Sequence, residues 1–200
     1  MRSQRQPRDV EAPPAADGVH LPGNLRQFRL QAGLTLDQLA ERSGVSRAMI
    51  SKVERGVSVP TATVLGRLAA ALQLSLSQLL GQAKTRGPRL LGRAEQPVFR
   101  DPATGFERRS LSPLFADGGV DVAFNVLPAG RAVAFPAHHT GVEEYLVVHE
   151  GVLAVVIDEV AFTVAAGDSL FYPSDRVHEF RNETDRPVTF YIVIDDRSKR

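Results

Sequence analysis

The sequence predicts an α + β chain of two domains: an N-terminal bundle of five short helices and a C-terminal sandwich or barrel-like jelly roll of short strands. Three observations predict it. Apolar residues recur at helical spacing through 23–82 and switch to a period of two from about residue 98. Between them, residues 83–97 carry Lys, Arg, Gly and Pro with few periodic apolar positions, the composition of a linker. The charge also changes sign. Residues 20–83 hold seven basic against three acidic residues, and Lys84, Arg86, Arg89 and Arg93 follow with no acid among them. Residues 94–200 hold ten basic against seventeen acidic residues. A basic front half suits a polyanion and an acidic back half does not.

Residues 1–20 are rich in Pro, Ala, Arg and Asp without periodicity and read as a disordered tail. Arg2, Arg5 and Arg8 make a DNA-contacting arm a second reading, weakened by the acids that balance them. Leu25 and Phe28 begin the first helical stripe, which ends near Gly33. Thr35-Leu36-Asp37-Gln38 is a capping-box pattern: Thr35 caps the Gln38 amide and Gln38 reaches back. The helix it opens runs from Leu36 to Arg42 or Ser43, and Gly44 supplies the turn. Ser46 caps a third helix, which buries Met49, Ile50 and Val53 and ends at Gly56. Pro60 and Thr61 start a fourth, with Val64, Leu65, Leu68, Ala69 and Leu72 inward. Ser75 or Ser77 starts a fifth, ending at Leu80-Gly81.

Alternation then marks strands at Asp121–Val126, Glu144–Val148, Val152–Ile157, Ser169–Tyr172, His178–Arg181 and Val188–Ile194. Gly, Pro, Asp and Asn punctuate them at intervals of roughly ten residues. The apolar runs are far too short to span a membrane, and the N-terminus lacks the apolar core of a secretory signal. With no cysteine there are no disulfides or thiolate metal sites. The expectation is a cytoplasmic protein without membrane contact.

The second and third helices, joined by a glycine turn, form a helix-turn-helix. The outer face of the third carries Arg47, Ala48, Ser51, Lys52 and Arg55, short or basic side chains that suit a groove. A lone basic helix pair would equally suit a protein-binding bundle. The longer string decides: Gly33-Leu34-Thr35-Leu36-x-x-Leu39-Ala40-x-x-Ser43-Gly44-Val45-Ser46, then Ile50-Ser51-x-x-Glu54-x-Gly56, Pro60 and Leu68-Ala69-x-Ala71-Leu72. Over residues 23–81 this resembles the Cro/repressor-type (XRE) helix-turn-helix family. The resemblance implies that the third helix enters the major groove of an operator in double-stranded DNA. Arg47, Ala48, Ser51 and Lys52 are then the base readers, with Arg47 or Lys52 donating to guanine. Ser46, Arg55 and Thr61 would hold phosphates. It also implies an ion pair between Arg29 and Glu54. One such domain binds weakly, so two half-sites about 34 Å apart require a dimer.

Gly167-x5-Pro173-x-Asp175-x2-His178-x3-Asn182, preceded by Glu144-x6-Gly151, resembles the two motifs of the cupin superfamily over residues 98–195. Asp175 stands where the family usually has Gly. The first motif departs further: His138 is followed by His139 and Thr140, so Thr140 takes the second histidine's position. Asp158-Glu159 stands where an Asp-Gly hairpin turn is usual. The resemblance implies a jelly-roll barrel and a pocket at His138, Glu144 and His178, a set able to hold Fe(II), Zn(II) or a similar divalent ion. His139 would face the other way. No cofactor is certain, because a degraded motif also fits a barrel that binds an effector without metal, or one that only dimerises. Phe124, Phe135, Tyr145, Phe171, Phe180 and Tyr191 are pocket-wall candidates.

The expected function is a sequence-specific transcription regulator, a homodimer through the cupin domain that answers to a small-molecule effector, and not an enzyme. The alternative is a metal-dependent cupin oxygenase or isomerase with a DNA-binding appendage, which Thr140 counts against.

Overall fold

The computed structural model describes residues 20–81, 87–113 and 119–196. The N-terminal tail with Arg2, Arg5 and Arg8, and linker residues 83–86, lie outside these.

The helical half comprises α1 (Leu21–Gln31), α2 (Leu36–Ser43), α3 (Arg47–Glu54), α4 (Ala62–Leu72) and α5 (Leu76–Leu80). Helix α1 starts two residues before the expected domain edge, with Pro22 in its first turn, where a missing amide costs nothing. Both bonds of the Thr35/Gln38 capping box are present. Gly44 ends α2 at a φ of 64°, the left-handed conformation that avoids a Cβ clash. Ser46, Thr61 and Ser75 cap α3, α4 and α5. Of the two serines considered for α5, Ser75 is the cap; Ser77 lies within the helix and is buried. Leu25, Leu39, Ile50, Leu65, Leu68 and Leu79 form the centre of the bundle.

After a 3-10 turn at Arg93–Glu95 the described residues form ten strands. They are β1 (Val98–Arg100), β2 (Glu107–Ser110), β3 (Val120–Leu127), β4 (Ala132–Phe135), β5 (Glu143–Glu150), β6 (Val152–Ile157), β7 (Val160–Ala165), β8 (Ser169–Pro173), β9 (His178–Arg181) and β10 (Val188–Asp195). All pairings are antiparallel, in a six-stranded sheet β1-β2-β3-β10-β5-β8 facing a four-stranded sheet β4-β9-β6-β7. Four strands escape the alternation signal: β1 and β4 are short, β2 is Glu-Arg-Arg-Ser, and β7 is exposed along most of its length. The hairpin between β6 and β7 turns on Asp158 and Glu159 at φ of 44° and 72°. Two non-glycine residues therefore take the left-handed conformations usual for Asn-Gly or Asp-Gly.

The halves are docked against each other. Gly66 of α4 lies so close to the β4 end that an added Cβ would stand 3.0 Å from Pro136 Cδ and 3.2 Å from Phe135 Cδ1. The Ala62 amide donates to Asp101 Oδ2 at 2.9 Å, and the Thr63 hydroxyl to the Ala134 carbonyl at 3.0 Å. From α5, Ser77 Oγ donates to Asp121 Oδ1 of β3 at 2.9 Å. The seam between the two halves thus combines a close backbone approach with hydrogen bonds across it.

Candidate functional site

Helix α3 turns Ile50 and Val53 into the core, which leaves Arg47, Ala48, Lys52 and Arg55 exposed and Ser51 partly so. The Ser46 hydroxyl oxygen accepts the Met49 amide, so this residue fixes the helix start. Arg47 Nε lies 3.1 Å from Asp37 Oδ1, both side chains mostly in solvent. Such an exposed pair contributes about 0–1 kcal/mol, so Arg47 leaves it for another partner at little cost. Behind the helix, Arg29 grips Glu54 twice, Nε to Oε1 at 2.7 Å and Nη2 to Oε2 at 2.9 Å, and donates from Nη1 to the Leu34 carbonyl at 2.8 Å. The hydrogen bonds that Arg29 donates to Glu54 raise the Arg29 pKa against the opposing effect of burial. This fork fixes α1, α3 and the loop after α1 as one body.

Thr61 does not join that surface. Its oxygen accepts the Val64 amide, and the next amide, that of Ala62, donates to Asp101 of the β-rich half. The N-terminus of α4 already holds a carboxylate, so it is not offered to a phosphate.

In the barrel, β5 turns Glu144 inward, β9 turns His178 inward, and the loop after β4 brings His138 to them. One ligand atom from each lies within 4.8 Å of the others. His138 Nε2 stands 3.0 Å and His178 Nε2 3.8 Å from Glu144 Oε1. His139 faces elsewhere, its Nε2 3.1 Å from Asp196 Oδ1. The second oxygen of Glu144 accepts a short hydrogen bond from the Tyr172 hydroxyl, and His178 Nδ1 lies 3.0 Å from the Arg176 carbonyl. Burial alone would raise the Glu144 carboxyl. The charges of His178 and His138, with hydrogen bonds from His138 and Tyr172, outweigh it and hold the group at about 2. Burial and the same carboxylate push the Tyr172 phenol up. Two imidazole nitrogens and an ionised carboxylate, with Glu144 braced by Tyr172 and His178 by the Arg176 carbonyl, fit a divalent ion.

Strand parity corrects the list of pocket walls. Phe135 lines the cavity and Phe180 is buried beside it in the barrel core. Tyr145, Phe171 and Tyr191 are exposed, because Glu144, Tyr172 and Ile192 beside them point inward. Phe124 lies outside as well, its ring 5.1 Å from that of Tyr191. What sequence reasoning missed is polar: Tyr172, and Arg108 of β2, which lines the cavity and is 3% exposed. Inward parity at Tyr172 was readable from Glu144, whereas nothing in Glu-Arg-Arg-Ser marks a buried arginine.

Among known families, the helix-turn-helix profile (HTH_3) matches residues 25–79 and the cupin-domain profile (Cupin_2) residues 124–194. The chain is 28% identical to the HTH-type transcriptional regulator SutR of Escherichia coli over 176 residues, covering 85% of this chain and 91% of that protein. It is 37% identical to the transcriptional regulator ClgR of Mycobacterium tuberculosis over 79 residues, 40% of this chain and 67% of that one. A crystal structure of an HTH_3 family transcriptional regulator from Vibrio cholerae superposes with a TM-score of 0.72 at 29% identity, covering 88% of this chain and 94% of that one.

Proposed function

This chain belongs to the XRE-type helix-turn-helix transcriptional regulators with a C-terminal cupin domain, and from that premise we propose that it reads an operator through α3 and answers to a small molecule held in the barrel. One observation carries the DNA half: α3 is braced from behind by the Arg29–Glu54 fork and presents Arg47, Ala48, Ser51, Lys52 and Arg55 away from the core. In the major groove, Arg47 or Lys52 donates to guanine O6 and N7, Ala48 meets a thymine methyl, and Ser46 and Arg55 hold phosphates. The cupin domain pairs two copies, so that two recognition helices meet successive turns of one duplex. The outer aromatic row of the six-stranded sheet, exposed Tyr145, Phe171 and Tyr191 with half-buried Phe124 beside them, is the surface this pairing would use.

Genome-wide mapping of binding sites followed by footprinting tests the reading. Arg47→Ala should lower discrimination between operator and mismatched duplex by about 1–3 kcal/mol, and affinity should fall steeply with salt. Discrimination unchanged by Arg47→Ala, together with a flat salt response, would refute α3 as the reader. A footprint confined to one half-site would refute the pairing.

The triad favours a second reading of the barrel, as a metal-dependent cupin enzyme. His138, Glu144 and His178 would hold the ion, and a divalent metal there supplies Lewis-acid or redox chemistry with open positions. Metal analysis of purified protein with His178→Ala and Glu144→Ala as controls separates the readings. Stoichiometric metal lost in both variants, accompanied by turnover, would move the assignment to an enzyme; a regulator without turnover keeps it where we place it.

A further inference from the structure

The cavity beside the triad is covered by the other domain. His138, Glu144 and His178 lie on its barrel side, the last two buried. Gly66, Ala69 and Ala70 of α4 and Leu76 of α5 lie over them. A second, smaller cleft reaches His138 from the margin of the seam, and it too is lined from both sides, by Gln73 and Ser75 and by His139 and Val142. In the first cavity the space open to the centres of water molecules is about 30 Å³, room for about two waters. A metabolite does not fit beside the triad while the helices stay where they are.

The covering contact runs directly to the triad. The backbone of α4 at Gly66 rests on Phe135 and Pro136, the segment that leads to His138. The Phe135 ring stacks on His178, with centroids 5.8 Å apart and 26° between the planes. The His138 ring stacks on His178 at 5.9 Å and 22°. Helix α4, Phe135 and the two histidines are therefore packed in series. The fastening is light. The face of α4 at the seam is made of small residues, and the hydrogen bonds across it are those of Ala62 with Asp101, Thr63 with Ala134, and Ser77 with its barrel partners. Each half also has its own apolar centre, so the seam can open without unfolding either.

We propose that the DNA-binding domain is the gate of the cupin pocket: α4 docked on the mouth leaves the triad to water, and an effector reaches it only when α4 lifts. Resting on the effector reading above, this gate gives that reading a direction. A molecule larger than the cavity binds the parted arrangement and not the docked one, so it shifts the population towards parted domains. Its apparent affinity is reduced by the fraction of molecules that are open. Docked, the recognition helix holds a fixed place relative to its barrel. Parted, it is tethered only through the chain after α5. Two half-sites on one duplex require a fixed spacing of two recognition helices, so an effector that parts the domains releases the operator.

The test uses full-length protein with a chelator present, so that no ion shields the histidines. The probe is diethyl pyrocarbonate, which acylates imidazole nitrogen and is itself larger than the cavity. Labelling of His178 is read by mass spectrometry, with the exposed His20 as reference. Wild-type His178 should react at least about tenfold more slowly than His20, as a group reached through a minor state does. Gly66→Leu keeps α4 helical but drives a side chain into Phe135 and Pro136, and should speed His178 labelling about tenfold. Thr63→Ala removes one hydrogen bond across the seam and leaves the packing intact, and should speed it about fivefold. The His20 rate and the hydrogen-exchange protection of β5 and β10 should not change in either variant. His178 labelling as fast as that of His20 in the wild type, or indifferent to both variants, would overturn the gate. So would acceleration matched by lost protection in β5 and β10, which would be unfolding of the barrel. Operator binding is measured alongside, and in Gly66→Leu the advantage of two half-sites over one should fall about tenfold. No operator binding by the wild type would overturn the regulator reading, whereas operator binding with His178 labelling indifferent to α4 would overturn the gate alone.

Discussion

Each domain buries one arginine against one carboxylate, and the two pairs are built differently. Arg29 in the helical domain is saturated: Nε and Nη2 take both oxygens of Glu54, and Nη1 takes the Leu34 carbonyl. Arg108 in the barrel touches Asp121 through one nitrogen at 2.9 Å, shares that nitrogen with Ser77 at 3.5 Å, and leaves Nε without a partner among the described residues. Both are shielded, with side chains 10% and 4% exposed. A saturated buried pair holds elements in one geometry. An unsaturated one retains hydrogen-bonding capacity, and here it lies at the seam between domains. The helical domain thus carries α3 on a rigid frame, whereas the barrel's pair leaves bonding capacity at the seam.

The largest expected effect breaks the saturated pair. Glu54→Gln leaves the Arg29 charge buried with a neutral partner, and the helical domain should lose about 3 kcal/mol. Exchange at α1 and α3 would report it, with the barrel strands as the unaffected reference. A loss below about 1 kcal/mol would show that the fork is ornamental and erase the contrast. Asp121→Asn comes next. It removes one charge-assisted hydrogen bond, worth about 2 kcal/mol, and weakens the acceptor that Ser77 reaches from α5. The seam should therefore loosen along with β2 and β3, which exchange at α5 would show. A loss confined to the strands would separate this pair from domain docking.

The same division explains what could be read from the chain itself. The helical domain is written in local rules: Thr35 and Gln38 cap each other across three residues, and Gly44 stands where the backbone must turn left-handed. The ion pair of Arg29 with Glu54 followed from family resemblance, not from spacing. In the barrel, the triad was legible because its motif fixes strand and parity together. The aromatic walls were not, because aromatic character says nothing of which face a strand presents; Tyr145 and Phe171 fall outside for that reason. Arg108 and the docking face of α4 were invisible for a different reason. Their meaning comes from contacts across the seam, such as Thr63 with Ala134, which no local pattern encodes.

The smallest effect sharpens the comparison at the level of turns. The helical domain places glycine at three left-handed positions, Gly33, Gly44 and Gly56, with Gln73 the exception. The β6–β7 hairpin places Asp158 and Glu159 at successive left-handed positions. Each such non-glycine residue costs about 1–2 kcal/mol in backbone strain, with Asp among the more tolerant types. Glu159→Gly removes the larger of the two costs but gives back about 0.5–1 kcal/mol through the greater freedom of glycine in the unfolded chain. The net gain should be about 0.5 kcal/mol, seen as slower exchange in β6 and β7. Asp158 is unaffected, its exposed pair with Arg176 at 2.9 Å contributing little on either side of the comparison. A destabilised variant would mean that the Glu159 side chain does more for this turn than its backbone strain takes away, and that the barrel tolerates non-glycine turns for a reason other than slack.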